Sequence, residues 1–480
     1  MRPRLARRTP PAVAADGHGN MVPVTSPVSA RPLPGDVLEL TVGEAVHGGW
    51  CVARPDDRGP VVFVRHALPG ERVRAAITQV TAKLARADAV EILTPSPDRV
   101  RPPCPHARPG GCGGCDWQHA GLPAQRRLKA AVIGQQLARI AGLDREVTVE
   151  PLPGDEDGAA APGLGWRTRV TFAVGPEGRA GLHKHRSHEI VHVGECPIAH
   201  AEVNAAGVTA ETWPGAASVQ VAVVPGTGER GLLVTAARPR SSRSGRSRPG
   251  AGRSAAASLP VAADSAASVA PGGARTALAG RGYLTQQAAG RAWRVDLAGF
   301  WQVHPAAAST LAAAVLEALA PRPGEVALDL YCGAGLFAGV LAPEVGPEGR
   351  VIGVESDPAA VRDARHNLRE WPWARVHRGD AGEVLSRLGL SGASLVVLDP
   401  PRSGAAPAVI EALTGGPAPG PEGGGLRRIA YVSCDPATLA RDLGLLIAGG
   451  WTLDALRAFD AFPMTHHVEC LATLSRRVSS

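Results

Sequence analysis

Residues 326–335 read Val-Ala-Leu-Asp-Leu-Tyr-Cys-Gly-Ala-Gly. The apolar start predicts a buried strand, Val326 to Tyr331, and the glycines predict a tight turn that brings backbone close to a ligand. The pattern repeats outward from there. Arg350 to Glu355 and Ser394 to Asp399 read as further strands, and so does Arg428 to Cys434. Asp357-Pro358 opens a helix, with Asp as N-cap and Pro at the first helical position. A second helix runs from Ala437 to Ile447. Strand alternating with helix implies a parallel sheet covered on both faces, an α/β Rossmann-like domain over 284–480. Ligands of such sheets lie beyond the carboxyl ends of the strands. Asp329, Glu355, Asp399 and Cys434 all fall at or near such ends.

Glu355 follows the glycine turn by about 20 residues, where an acid accepts hydrogen bonds from ribose hydroxyls. Gly379-Asp380 follows the third strand. The dinucleotide fingerprint is incomplete, since Ala338 stands where its last glycine would be. S-adenosylmethionine (SAM) fits this turn better. Asp399-Pro400-Pro401-Arg402 lacks the aromatic that amine methyltransferases carry after the two prolines, which argues for carbon as acceptor. Ser433-Cys434-Asp435-Pro436 sets a thiol at a helix N-terminus, where the dipole is expected to favour the thiolate. A thiolate added at pyrimidine C6 makes C5 nucleophilic. The C5 proton must then go to a base, and Glu469 in the stretch Phe462 to Glu469 is the candidate. His466 and His467 read as loop packing.

The chain has 480 residues, 44% of them hydrophobic, with 58 Gly, 43 Pro and a formal charge of +7. That length suits two to four domains. The basic balance favours a polyanionic partner. No apolar run approaches the ~18–20 residues that span a bilayer. Residues 1–33 carry no apolar signal region and read as a disordered extension, with Met21 a second candidate start. Alternating residues over 34–94 read as a small OB-like barrel, a common single-strand nucleic-acid binder. Residues 95–283 read as a central α+β domain, with a helix from Ala124 to Ala141 and a strand at Trp166 to Phe172. The Ser/Arg/Gly/Pro/Ala stretch 238–274 reads as a flexible insertion.

Three of the eight cysteines crowd into Cys104, Cys112 and Cys115, and Cys196 follows downstream. In a cytosolic protein such crowding suggests a metal site before a disulfide. Four thiolates hold zinc or an iron–sulfur cluster. One close pair with an isolated fourth is unlike a zinc ribbon and favours iron–sulfur.

Together Cys112 to Cys115 with Gln118-His119, Asp329 to Gly335, Asp399 to Arg402, Tyr431 to Asp435 and Phe462 to Glu469 resemble the RNA uracil-5-methyltransferase family, in its iron–sulfur branch with an N-terminal TRAM domain. The resemblance covers about 34–477 apart from 238–274. It implies a [4Fe-4S] cluster on Cys104, Cys112, Cys115 and Cys196. It implies SAM contacts from Gln302, Tyr331, Glu355, Asp380 and Asp399 beside Gly333 and Gly335. It makes Cys434 the nucleophile and Glu469 the base. His304 and Leu336 depart from the family's usual residues, and the seven residues between Cys104 and Cys112 exceed its common spacing.

The expected activity is SAM-dependent methylation of uridine C5 in structured RNA, in the cytoplasm, with the base flipped out of its stack. Large-subunit (23S) ribosomal RNA is the first target, which would make this an rRNA-processing enzyme; the tRNA T-loop is the alternative. RNA contact falls to the barrel, the central domain and the basic turn His183-Lys184-His185-Arg186. Neither a membrane nor an obligate protein partner is implied. Rival readings are a cytosine-5 methyltransferase, a non-catalytic RNA-binding protein and a redox iron–sulfur protein.

Overall fold

The computed structural model describes residues 32–55, 60–155, 162–238, 259–390, 392–416 and 425–476. Of the expected extension, residues 1–31 lie outside these. Five strands, β1 (Val37–Val46), β2 (Trp50–Ala53), β3 (Val61–Arg65), β4 (Arg72–Val80) and β5 (Leu84–Thr94), close into a barrel in the order β1-β2-β3-β5-β4. Alternate residues point inward, and many are small: Leu40 and Val42, Val62 and Val64, Val73 and Ala75, Ala85, Ala87 and Ala89 are all buried. Period-2 alternation with alanines suits the narrow interior of a small barrel. The β1–β2 turn places Gly48 and Gly49 at positive φ, and a Cβ on Gly49 would lie 2.8 Å from the Asp116 side chain. Glycine is what lets the barrel seat against the cysteine loop.

Helix α1 (Leu122–Gln136) ends in a π-turn over Leu137–Ala141 and is followed by β6 (Val149–Pro151). The central sheet holds β7 (Arg169–Val174), β8 (Ala180–His183), β9 (Ile190–Val191), β10 (Ala216–Val224), β11 (Glu229–Ala236), β12 (Ser265–Val269) and β13 (Arg275–Ala279), with the short helix α2 (Ala201–Asn204) before β10. Its order is β13-β12-β11-β10-β7-β8-β9. Strand β12 corrects the reading of 238–274 as a flexible insertion. Residues 239–258 lie outside the described part, but Ser265–Val269 pairs in parallel with Gly231–Thr235. Its Ser265, Ala266 and Ala267 are buried. Small residues that resemble a linker in composition are here what a closely covered strand accommodates.

A hairpin, β14 (Tyr283–Ala288) and β15 (Arg291–Asp296), leads into α3 (Ala307–Leu319). The C-terminal domain then runs β16 (Val326–Leu330), α4 (Leu336–Val345), β17 (Arg350–Glu355), α5 (Pro358–Asn367), β18 (Ala374–Arg378), α6 (Ala381–Leu388), β19 (Leu395–Leu398), α7 (Pro407–Gly415), β20 (Arg428–Ser433), α8 (Pro436–Ala448), β21 (Thr452–Asp460) and β22 (Glu469–Ser475). The sheet order is β18-β17-β16-β19-β20-β22-β21-β6, parallel from β18 to β20, with β22 antiparallel between β20 and β21. Strand β6 is contributed from the central region, so that region is not confined to its own sheet. Successive residues of β19 and β20 enter opposite cores. Val396, Leu398, Ile429 and Tyr431 face one cluster; Leu395, Val397, Ala430 and Val432 face the other. A sheet buried on both faces reads as a continuous apolar run. Asp357 caps α5, its Oδ1 accepting from Ala359 N (2.9 Å) and Ala360 N (2.8 Å), as expected. Loss of such a cap costs about 1 kcal/mol.

Candidate active site

The order reverses between β16 and β19, so a crevice opens where their carboxyl ends diverge. Tyr331 leaves β16 in the left-handed region, φ 64°, followed by Gly333 at 52° and Gly335 at 88°. The Tyr331 hydroxyl accepts a hydrogen bond from Ala406 N (3.1 Å). Glu355 ends β17 and is fixed by backbone: Oε2 accepts from Gly333 N (3.0 Å), Oε1 from Ser356 N (2.7 Å) and Asp357 N (2.8 Å). Asp380 caps α6, its Oδ1 accepting from Gly382 N and Glu383 N. Gln302 is buried in the segment before α3, where Val303 O accepts from both Thr168 N and Thr168 Oγ1 (2.9 Å each).

Asp329 lies in β16, just before the turn. It is fully buried, with Oδ2 accepting from Ala338 N (2.7 Å) and Oδ1 without a partner. Burial, with Asp399 and Glu355 adding, pushes its carboxyl up to about 8. Asp399 at the end of β19 is pushed up by burial to about 7. Carboxyl groups crowded this way favour a cation between them.

Cys434 and Glu469 are brought together by register. Ser433 of β20 pairs with Cys470 of β22 in antiparallel fashion. Cys434 follows that last pair on β20 and Glu469 precedes it on β22, and the Glu469 carboxyl acts on the Cys434 thiol. Glu469 is 4% exposed, and its Oε2 has no partner. Burial, then the charge of Asp399, holds it well above the usual carboxylate range, with Arg402 opposing. The expected thiolate at Cys434 needs correction. Burial, then the charges of Glu469 and Asp399, pushes the thiol up to about 11, and the Arg402 guanidinium pulls against them. The free amides of α8 are taken by Asp435, whose Oδ1 accepts from Ala437 N and Thr438 N (3.0 Å each). The helix end therefore serves the carboxylate, not the sulfur, and the resting thiol is protonated.

Long-range partners of this site carried no local signal. His47 on the barrel turn lies with Nε2 3.3 Å from Asp435 Oδ2. Burial alone would raise Asp435, but the His47 hydrogen bond and the capping amides bring it down to about 2. His466 and His467 do more than pack a loop. His466 Nδ1 is 2.6 Å from Asp116 Oδ2, and His467 Nε2 is 3.2 Å from Arg402 Nη2. Asp116 N and Trp117 N both donate to Met464 O, tying the cysteine loop to the same segment. Beneath it, Lys129 Nζ meets Asp460 Oδ1 at 2.5 Å in a fully buried pair. Removing one partner of such a pair costs about 3–5 kcal/mol. His304 instead pairs with Asp155, Nε2 to Oδ2 2.9 Å.

Cys104, Cys112, Cys115 and Cys196 line one cavity of about 30 Å³, and none is in a disulfide. Burial raises the thiols of Cys112, Cys115 and Cys196. Among the described residues, no three His, Cys, Asp or Glu side chains converge as a site for a single metal ion. The four thiols line this space together.

A glycine turn, an acid closing β17 and a crevice at the strand reversal define a SAM-dependent methyltransferase of the Rossmann-like class. The family model for tRNA (uracil-5-)-methyltransferases matches residues 387–477, and the TRAM domain model matches 31–90. A model for protein-L-isoaspartate O-methyltransferases matches 299–382, the part that holds the glycine turn. The chain is 48% identical to a Streptomyces coelicolor protein named as an uncharacterized RNA methyltransferase, over 94% of this chain and 95% of that one. A Bifidobacterium longum protein of like name is 34% identical, over 91% and 96%. The structure resembles the crystal structure of the Pyrococcus abyssi tRNA (uracil-54, C5)-methyltransferase with S-adenosyl-L-homocysteine, at TM-score 0.63 and 21% identity, covering 91% of this chain and 100% of that one. The chain belongs to the RNA uracil-5-methyltransferase family with a TRAM domain, enzymes that use SAM. No helix among the described residues is long and apolar enough to cross a membrane.

Proposed function

We propose that this protein methylates C5 of a uridine in structured RNA through a covalent adduct on Cys434. The observation that supports this is the β20–β22 register, whose last pair, Ser433 with Cys470, brings Cys434 and the buried Glu469 to the same strand ends, with Arg402 acting on both. Cys434 gives its proton to solvent as the base enters, and Arg402 stabilises the thiolate. The sulfur bonds to C6, and the electron pair moves to C5 and the O4 enolate. Gln302, Tyr331, Glu355, Asp380 and Asp399 would hold SAM; C5 takes its methyl group as the sulfur–methyl bond breaks, and S-adenosyl-L-homocysteine leaves. Glu469 removes the C5 proton, the C5–C6 double bond re-forms and the thiolate leaves. A carboxyl with a raised pKa is the stronger base for a carbon acid, once ionised. Its ionised form is favoured when a cation occupies the crevice.

Cys104, Cys112, Cys115 and Cys196 are the proposed ligands of a [4Fe-4S] cluster. Their shared cavity and the absence of disulfides support this. A bound cluster requires thiolates and so lowers the raised thiols. It ties the Cys104–Cys115 loop to the Cys196 turn, and no step of the reaction uses it.

The proposed target is 23S ribosomal RNA, because the barrel and four cysteines together match the ribosomal branch of the resemblance. The likeness to a tRNA enzyme favours the T-loop as a second reading. Mapping 5-methyluridine in total RNA from a deletion strain tests both. Loss from 23S rRNA supports the first, and loss from tRNA overturns it. No loss from any RNA contradicts the activity itself.

A further inference from the structure

Arg402 acts on both the Cys434 thiol and the Glu469 carboxyl, yet it stands in the loop between β19 and α7, beyond the end of its strand. A long side chain keeps a charge at a set place only when the backbone beneath it is held. That backbone is a tight turn. Gly404 N donates to Pro401 O (2.8 Å), so Arg402 takes the second position of the turn Pro401 to Gly404. Gly404 is in the left-handed region, φ 84°. A Cβ there would collide with Arg441 Nη2 and lie 2.6 Å from Asp442 Oδ2, so glycine lets these two side chains of α8 close on the loop.

Side chains from other elements fasten the turn. Asp442 Oδ2 accepts from Ala405 N (2.9 Å), and Arg441 Nη2 donates to Ser403 O (3.0 Å). The Tyr431 hydroxyl on β20 accepts from Ala405 N (3.1 Å) and donates to Asp442 Oδ2 (2.6 Å). Asp442 Oδ1 accepts from Arg441 Nε (2.7 Å). The Tyr331 hydroxyl takes the next amide, Ala406 N. Asp442 and Tyr431 are fully buried. Burial and the charge of Asp442 keep the Tyr431 phenol protonated, so it remains a donor. A buried carboxylate is often no more stabilising than an apolar residue of its size. The three partners of Asp442, namely Ala405, Tyr431 and Arg441, all belong to this loop or touch it.

We propose that Asp442 is a positioning residue for the reaction assigned above: through Ala405, Tyr431 and Arg441 it fixes the Pro401–Gly404 turn and so keeps the Arg402 guanidinium at Cys434. This deepens the proposed function and rests on Cys434 being the nucleophile. The charged groups that act on the sulfur include Glu469, Asp399 and Arg402. The sign of the effect separates positioning from a plain charge effect. Taking away a nearby negative charge favours a thiolate, whereas releasing a held cation disfavours it.

The test uses the full chain carrying Asp442→Asn or Tyr431→Phe, each with and without Arg402→Met. The pH profile of Cys434 alkylation by iodoacetamide is read by peptide mass spectrometry. Asp442→Asn is expected to move the profile to higher pH by about one pH unit. Tyr431→Phe removes no charge and should move it in the same direction by less. Neither change should add to the shift once Arg402 is Met, because the two act through one side chain. An unmoved profile in a folded variant overturns the proposal. So does a move to lower pH, or an equal move in the Arg402→Met background. If Asp442→Asn lowers the unfolding midpoint below the assay temperature, Tyr431→Phe decides alone by the same criteria. Formation of 5-methyluridine is measured beside the alkylation. If the wild type forms none while the shifts appear as stated, the reaction falls and the hold on Arg402 stands. If it methylates RNA and the profiles stay put, the positioning role alone falls.

Discussion

The strand-end crevice and the four-cysteine cavity are built by opposite means. In the crevice each working group sits where a sheet ladder ends. Tyr331, Asp399 and Cys434 follow β16, β19 and β20, Glu355 ends β17, and Glu469 opens the antiparallel β22. Around the cysteines, turns and short-range contacts hold loops. Cys104 N donates to Gln118 Oε1 (3.0 Å), Cys112 N to His106 O (3.0 Å) and Cys196 N to Asn204 Oδ1 (3.0 Å). A site on rigid strands is formed before its ligand arrives. A site on loops is completed by what it binds. The two meet at Asp116, next to Cys115, which holds His466 while the neighbouring His467 touches Arg402.

That contrast breaks first at the sulfur. Cys434→Ala is expected to lower 5-methyluridine formation by at least about 10³-fold, read by nucleoside mass spectrometry, with SAM affinity by calorimetry unchanged. Glu469→Gln should cost about 10²–10⁴-fold and cause the protein–RNA adduct to accumulate on denaturing gels, because adduct formation survives while C5 proton removal does not. A variant that turns over normally would remove Glu469 from the base role.

Arg402→Met sharpens the electrostatics. The thiol stands near 11 in the resting protein, so the thiolate fraction rises as pH rises. Removing the one cation that stabilises it raises the pKa further. The pH profile of Cys434 alkylation by iodoacetamide, followed by peptide mass spectrometry, should move to higher pH. An unmoved profile would mean that Arg402 does not act on the sulfur. The smallest effect on the crevice is expected from Cys115→Ser. Iron content and the unfolding midpoint should fall, while SAM affinity changes by less than about twofold, since the strand ends do not depend on the loop. A parallel loss of SAM binding would erase the distinction between the two sites.

Much of the crevice is legible in the sequence because its elements are local. Arg350–Glu355 is a strand bounded as its apolar run suggests, and Asp357-Pro358 caps the helix that follows. What escapes is non-local. Nothing near Glu469 shows that β22 returns between β20 and β21, which is what brings it to the end of β20 near Cys434. The ionisation of Cys434 is misjudged from sequence for a related reason. A helix N-terminus is visible in the letters, but not that Asp435 occupies its amides and that two carboxyls from other strands crowd the sulfur. His47 and Asp116 become part of the site only through packing of the barrel and the cysteine loop. Strand β12 is hidden by its composition, since Ser265-Ala266-Ala267 looks like linker and is buried against a neighbour instead.

The most direct trial of the account is to incubate the purified chain with SAM and RNA carrying 5-fluorouridine, then weigh the denatured product. Fluorine at C5 cannot leave as a proton, so a complex of protein, RNA and one added methyl group is expected, with the crosslink on the peptide that contains Cys434. Recovery of free protein under conditions that methylate ordinary RNA, or a crosslink on another residue, would contradict it.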